Sequence, residues 1–289
     1  MIQELLSKLE SHGGEIENIL ATLKEQNSAT FVLADTGVGK STLINYLAGR
    51  PLKVIEKPHE PNSYLIEEVG SSSLKIGHDK STTKIPAVVA IKEGDILVDT
   101  AGACDTQGFK ADLVNGLILK KIFNAVENKK IIMVLNANSF DANRGELLKK
   151  NFKRLNNFFG KKYTKILFVI SKAKKGVDYK SMLTKIIKED DSSYIMKNNE
   201  FLLKILNFSY ILPFYQPDSS DYEASKKQEL WDVEQRIDRK NILDILKILK
   251  PLKVKHMSLT FDGENARAIE QLVTELKQKT KIELDSVSD

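Results

Sequence analysis

A three-layer α/β fold, with helices on both faces of a mostly parallel central sheet, is predicted by three observations. Continuous apolar runs recur along the chain: Phe31-Val32-Leu33, Ile131-Ile132-Met133-Val134-Leu135 and Ile166-Leu167-Phe168-Val169-Ile170. Such runs are what strands buried on both faces require. Amphipathic helical patterns separate them, and that alternation is the mark of layered α/β architecture. The third observation is Ala34-Asp35-Thr36-Gly37-Val38-Gly39-Lys40-Ser41-Thr42, which follows the first run and opens the helical pattern Leu43, Ile44, Leu47. Strand, glycine loop, then helix is the context of a phosphate-binding loop.

The elements follow in order. Ile2, Leu5, Leu6, Leu9 and then Ile16, Ile19, Leu20, Leu23 have helical spacing, with Gly13-Gly14 between the two sets. Thr30–Asp35 reads as the first buried strand. Arg50 to Lys84 holds Pro51, Pro58, Pro61 and Gly70-Ser71-Ser72-Ser73, which predicts loops and edge strands. Ala87–Ile91 and Asp95–Asp99 flank Glu93-Gly94, a hairpin signal. Residues 111–128 and 143–159 are predicted helices, two more are expected within 178–206, and Tyr210–Phe214 is the last strand. Beyond Pro217 the composition shifts. Asp218–Lys227 is polar, and Leu230, Val233, Ile237, Ile242, Ile245, Leu246 and Leu249 predict one long amphipathic helix ended by Pro251. Ala266–Lys281 is again helical in pattern. The expected organisation is an N-terminal helical segment over 1–28, a nucleotide-binding domain over 29–217, and a mainly helical C-terminal extension over 218–289.

Composition narrows the function classes. The chain has 289 residues, 42% hydrophobic and 29% charged, which is the balance of a globular chain rather than a disordered one. Cys104 is the sole cysteine, so no internal disulfide is possible, which fits a reducing, cytoplasmic compartment. No run of 18 consecutive apolar residues occurs, the N-terminus lacks a signal-peptide core, and Ile2 excludes N-myristoylation. The net charge is +5, carried mainly by scattered lysines such as Lys149-Lys150 and Lys161-Lys162. A solvated basic surface is expected, with weak attraction to an anionic membrane surface as the alternative. No nucleic-acid module is visible.

The glycine loop carries specific chemistry. Glycines let backbone N–H groups turn inward around an anion, and the helix N-terminus adds its positive dipole end. Asp35, Thr36, Gly37, Val38, Gly39, Lys40, Ser41 and Thr42 are the expected phosphate-binding residues. Lys40 would reach the β- and γ-phosphates and the Ser41 hydroxyl would hold Mg²⁺. The first glycine of the G-x-x-x-x-G-K-[ST] pattern is Ala34, which costs little if that position keeps a negative φ.

A second motif separates nucleotide switches from other phosphate-loop proteins. Ile96-Leu97-Val98-Asp99-Thr100-Ala101-Gly102 is an apolar strand ending in D-x-x-G. Asp99 would hold Mg²⁺, through water, and the Gly102 N–H would sense the γ-phosphate. Between these motifs lies Gly77-His78-Asp79-Lys80-Ser81-Thr82-Thr83-Lys84. A switch loop needs a threonine whose hydroxyl binds Mg²⁺ and whose N–H meets the γ-phosphate; Thr83 is the first choice and Thr82 the second. The fold expected is therefore a three-layer P-loop GTPase domain with N- and C-terminal helical extensions.

On these three segments, Thr36–Gly49, Lys80–Lys84 and Asp99–Gly102, residues 30–215 resemble the septin-like GTPases that include the immunity-associated GTPases and their protozoan relatives. The resemblance implies GTP and GDP binding with Mg²⁺, slow turnover, and homodimers formed across the nucleotide face. The Ser-x-Thr-Lys pattern of that family falls on Ser81, Thr83 and Lys84.

The base-recognition motif departs from the family's [NT]-K-x-D. Its place reads Ser171-Lys172-Ala173-Lys174. Ser171 and Lys172 remain candidate base contacts. Lys174 has no acceptor for guanine N1–H and the 2-amino group, and Asp178 is the substitute if the loop folds back. The residue after D-x-x-G is Ala103 rather than a water-orienting glutamine, Gln107 stands near it, and no arginine lies between Gly70 and Pro86. His78 is either a charge-stabilising group, in cis or across a dimer, or a plain exposed loop histidine. The resemblance implies a GTP-binding switch with slow Mg-dependent hydrolysis coupled to dimerisation, the guanine preference resting on the family likeness rather than on these residues. A nucleotide-loaded scaffold without useful hydrolysis and a P-loop ATPase are the alternatives.

Overall fold

The computed structural model describes residues 13–35, 37–70, 86–92, 94–100, 109–140, 151–153, 155–156, 159, 165–189 and 193–252. Helix α1 (Gly13–Gln26) leads into β1 (Ser28–Ala34), followed by α2 (Lys40–Leu47). The antiparallel pair β2 (Leu52–Glu56) and β3 (Tyr64–Glu68) forms a separate hairpin. Strands β4 (Ala87–Ala90) and β5 (Ile96–Asp99) come next, then α3 (Phe109–Ala125), β6 (Asn128–Asn136) and a single 3₁₀ turn, Ala137–Ser139. The order ends with β7 (Leu167–Ala173), α4 (Tyr179–Glu189), α5 (Ser193–Phe208), β8 (Tyr210–Tyr215), α6 (Ser219–Gln228) and α7 (Ile237–Ile248).

The six-stranded sheet runs β4-β5-β1-β6-β7-β8. Every pairing is parallel except β4 with β5, which are antiparallel across the turn at Gly94. This is a three-layer α/β architecture built on a mostly parallel sheet. Alternation along each central strand builds two cores, because successive side chains face opposite sides of a sheet. Phe31, Ile131, Met133, Phe168 and Ile170 pack on one face with Phe123, Leu183 and Leu202. Val32, Ile132, Val134, Leu167 and Val169 pack on the other with Leu43, Leu47 and Leu246. Among the described residues, no helix is long and apolar enough to cross a membrane.

Helix α1 includes Gly13 and Gly14 and places Ile16 and Leu23 in the first core. The leading apolar set at residues 2–9 and the pattern at 266–281 lie outside the described residues. The expected loop-rich stretch after Arg50 contains an ordered hairpin. Its outer edge is covered: Val54 N–H donates to Ser225 Oγ at 2.9 Å, and Tyr64 stacks on Tyr222 with ring centroids 5.3 Å apart.

The long helix expected from Leu230 to Leu249 is instead two features, and α6 forms where only a polar stretch was expected. Asp218 caps α6, accepting from the Ser220 and Asp221 N–H groups, while Asp221 accepts from the Asp218 N–H in return. Each cap satisfies donors that a helix start otherwise leaves open. Glu229 takes a left-handed φ of 58° and ends that helix. Trp231 N–H then donates to Leu52 carbonyl at 2.6 Å, drawing the chain along the hairpin. The apolar residues Trp231 and Val233 thus enter the core from an irregular segment, which helical periodicity cannot distinguish from a helix face.

A buried polar network joins α7 to α2. Asp238 accepts from the Tyr46 hydroxyl at 2.7 Å, from Arg236 Nε at 3.1 Å and from the Tyr215 N–H at 3.0 Å. Arg236 also donates to both oxygens of Asp221, at 2.8 and 2.9 Å. Burial first, and the Asp238 charge second, push the Tyr46 phenol well above its ordinary range, so it stays a neutral donor. Removing Asp238 takes from Arg236 one of its two carboxylate partners and leaves the buried Tyr46 hydroxyl and the Tyr215 N–H without their acceptor. Asp238→Ala should therefore cost about 3–5 kcal/mol in urea unfolding, whereas Tyr46→Phe, which removes the bond to Asp238 and a longer one from Arg236 Nε at 3.3 Å, should cost about 1–2 kcal/mol. An Asp238→Ala loss no larger than that of Tyr46→Phe would mean that α7 is not coupled to the domain in this way.

Candidate phosphate-loop site

The loop between β1 and α2 is shaped by two glycines. Gly37 and Gly39 have φ values of 78° and 91°, in the region open to glycine and strained for other residues. A Cβ at either position would meet nothing within 4 Å, so the left-handed φ rather than crowding is what calls for glycine. Gly39 is also the N-cap of α2 and uses no side-chain cap, leaving the helix N-terminus to backbone N–H groups and whatever anion they meet. Ala34 is the last residue of β1, paired in register with Val134, so the extended conformation there needs no glycine.

Three polar side chains converge where β5 ends beside α2. The Lys40 ammonium forms an ion pair with Asp99 Oδ1, and both are buried. Ser41 Oγ donates to Asp99 Oδ2 at 3.2 Å. Burial pushes the Lys40 ammonium down from its usual range to about 7. A buried cation in this position is favoured by an added anion, since the interaction is weakly screened. The neighbouring Thr100 hydroxyl donates to Val32 carbonyl at 2.7 Å, tying the end of β5 to β1.

Asp99 and Ser41 supply hard oxygen donors side by side, which suits Mg²⁺ held jointly by protein and phosphate oxygens rather than by a protein cage. Among the described residues no group of three or more His, Cys, Asp or Glu side chains forms such a cage.

Asp35 is buried and accepts from Asn151 Nδ2 at 3.0 Å, a tie to the following helical stretch that no motif in the sequence announces. Ser171 is likewise committed: its hydroxyl donates to Val38 carbonyl at 2.6 Å and lies 3.3 Å from Leu135 carbonyl. Ser171 thereby holds the glycine loop against β7. Thr36, His78, Thr82, Thr83, Gly102, Ala103 and Gln107 lie outside the described residues.

Beside the loop opens a cavity of about 450 Å³. Gly37, Val38, Gly39 and Thr42 form one wall; Ser171 and Lys172, the segment Phe214–Pro217, and Asn138 after β6 form another. The β2–β3 hairpin closes a third side with Lys57, Glu60 and Ser63–Ile66. Lys172 is exposed, with φ 53°. Lys174 is exposed and is not among the cavity residues; its backbone N–H donates to the Tyr179 hydroxyl at 2.8 Å. Asp178 does not fold back into the cavity. It accepts from the Ser181 N–H at 3.0 Å and the Ser181 hydroxyl at 2.6 Å at the start of α4, and these bonds hold its carboxyl below the usual range. The hairpin's part in the cavity was not readable from the sequence, because it depends on how a distant segment folds over the loop.

No family model matches this chain, and no curated protein does. Solved structures similar to it include two of an oligomerised bacterial dynamin pair, described as a mechanism for long-range sensing and tethering of membranes. One is 14% identical, with a TM-score of 0.40, over 84% of this chain and 50% of its own. The other is 14% identical, with a TM-score of 0.35, over 98% of this chain and 50% of its own. The chain thus spans about half the length of those proteins. Similarity at this level assigns neither activity nor partner.

The left-handed glycine is the feature most open to test. Gly39→Ala places a Cβ at φ 91°, which should cost about 1–2 kcal/mol of stability and displace the first N–H groups of α2. Urea unfolding and fluorescent-nucleotide titration should both register the change. An unchanged affinity for nucleotide would mean that the loop does not grip phosphate through Gly39.

Proposed function

We propose that this chain is a GTP-binding switch of the septin-like kind, with slow Mg-dependent hydrolysis and nucleotide-dependent homodimerisation. The observation that carries the reading is the convergence of Lys40, Ser41 and Asp99 beneath the two left-handed glycines. The triphosphate is held by the N–H groups of Asp35–Thr42, and Lys40 exchanges part of its Asp99 contact for the β- and γ-phosphates. Ser41, Asp99 and Thr83 would hold Mg²⁺, which supplies charge neutralisation across the phosphate oxygens when bound. Gly102 and Thr83 report the γ-phosphate, so their segments order with GTP and relax with GDP. Ser171 and Lys172 border the base, Ser171 by fixing the loop and Lys172 along the cavity rim.

Ala103 cannot orient an attacking water, and no arginine lies between Gly70 and Pro86, so one chain lacks a complete catalytic set. The dimer across the nucleotide face supplies what is missing, with His78 the candidate group. The +5 charge favours an additional, weak attraction to anionic membrane surfaces from a cytoplasmic location.

Lys40→Ala should abolish tight GTP and GDP binding; a variant that binds Mg-GTP like the parent would remove the phosphate-loop assignment. For the parent, single-turnover hydrolysis should fall on the order of 10⁻⁴–10⁻² s⁻¹ and rise with protein concentration, and His78→Ala should flatten that rise. Fast turnover independent of concentration would contradict the dimer account. Tight binding with no turnover at any concentration would instead identify a nucleotide-loaded scaffold.

A further inference from the structure

The cavity has a carboxylate in an unforeseen place. Position 174, where an acidic residue would accept from guanine, holds a lysine outside the cavity, and Asp178 is occupied as a helix cap. Ser171 has spent its hydroxyl proton on Val38. Among the described residues lining the cavity, Glu60 is the sole carboxylate. It sits at the tip of the β2–β3 hairpin, ion-paired with Lys57, which lines the same cavity.

The backbone of the tip is closely tied. Lys57 N–H donates to Ser63 carbonyl at 2.7 Å, Glu60 N–H to Lys57 carbonyl at 3.2 Å, and Ser63 N–H to Glu60 carbonyl at 3.1 Å. Asn62 N–H donates to Glu56 Oε1 at 3.0 Å, and His59 and Asn62 take left-handed φ values of 65° and 61°. Two left-handed residues in one seven-residue tip fix a compact path rather than an open loop. The glycine loop and the hairpin tip line the same cavity, so a nucleotide anchored at the loop by its phosphates has its base in the space that Lys57 and Glu60 border.

We propose that this hairpin tip reads the nucleobase: Glu60 accepts from guanine N1–H and the 2-amino group, and Lys57 donates to guanine O6. The inference rests on the nucleotide-binding reading above and replaces the base contact that Lys174 cannot make. The chemistry selects guanine, which alone of the two purines presents two adjacent donors to a carboxylate; adenine offers an acceptor at N1 and has no 2-amino group. Asn138 and Gln216 also line the cavity, but an amide carries both donor and acceptor and turns to suit either base.

The test measures dissociation constants for GDP, IDP, XDP, ADP and inorganic pyrophosphate with the full chain, its Glu60→Gln variant and its Glu60→Ala variant. Glu60 is 54% exposed, so both variants should fold, and a melting curve checks this. The parent should bind GDP more tightly than IDP, which lacks the 2-amino group, and IDP more tightly than ADP. Both variants should lose about 10- to 100-fold in GDP affinity while pyrophosphate and ADP change little. Glu60→Gln should also gain affinity for XDP, whose 2-oxo group accepts from the new amide. A GDP-to-ADP ratio unaltered in both variants, with pyrophosphate still bound, would overturn the assignment of Glu60 and leave the phosphate loop intact. Failure of the parent to bind pyrophosphate or any nucleotide would overturn the phosphate-loop reading itself, and this proposal with it.

Discussion

Helix α2 begins with Lys40 and Ser41 against Asp99 and ends under the guanidinium of Arg239, and the site depends on both ends being fixed. Arg239 is buried and donates to the carbonyls of Tyr46 at 3.0 Å and Leu47 at 2.8 Å. Carbonyls in the last turn lack the helix's i+4 donors; the Gly49 N–H also donates to Tyr46 carbonyl at 3.2 Å, and a cation beside them complements the helix dipole. Gly49, with φ 65°, turns the chain away at this point. A Cβ there would stand 2.8 Å from Glu234 Oε1, the residue whose other oxygen accepts from Arg239. The eight-residue helix is thus held between β5 at one end and the C-terminal extension at the other.

That arrangement gives the described part of the C-terminal segment a role in supporting the site. Tyr46 packs its ring on Phe214 at 4.8 Å and on Trp231 at 5.4 Å, and its hydroxyl reaches Asp238. Phe214 belongs to the segment that lines the cavity, and Trp231 pairs with β2, the strand that starts the hairpin. One cluster therefore supports α2, the end of β8 and the root of the hairpin together. Cores packed at this density transmit displacements between such elements instead of absorbing them.

The sequence was most legible where a local pattern settles the outcome. The strand, glycine loop and helix around Gly37 and Gly39 were readable because the backbone conformation needs glycine whatever surrounds it. The apolar runs at Ile131–Leu135 and Ile166–Ile170 became central strands because only a doubly covered sheet suits them. The break at Glu229 was not legible, since Leu230, Val233 and Ile237 carry helical spacing and the deciding bond, from Trp231 to Leu52, joins residues distant in sequence. Ser171, a candidate base contact by position, lines the cavity and donates its hydroxyl to the Val38 carbonyl, a tie that position alone does not announce. The hairpin's contribution of Lys57 and Glu60 was hidden for the same reason as the break: it arises from tertiary folding and leaves no motif.

The proposed switch requires Lys40, Ser41 and Asp99, which contact one another beside the glycine loop, to act as one unit with Mg²⁺. Calorimetric titration of the full chain with a non-hydrolysable GTP analogue, run with Mg²⁺ and again with a chelator, tests that unit directly. One saturable site per chain is expected, with affinity falling at least about tenfold, or 1.4 kcal/mol, when Mg²⁺ is withdrawn. No saturable binding, or an affinity indifferent to Mg²⁺, would contradict it.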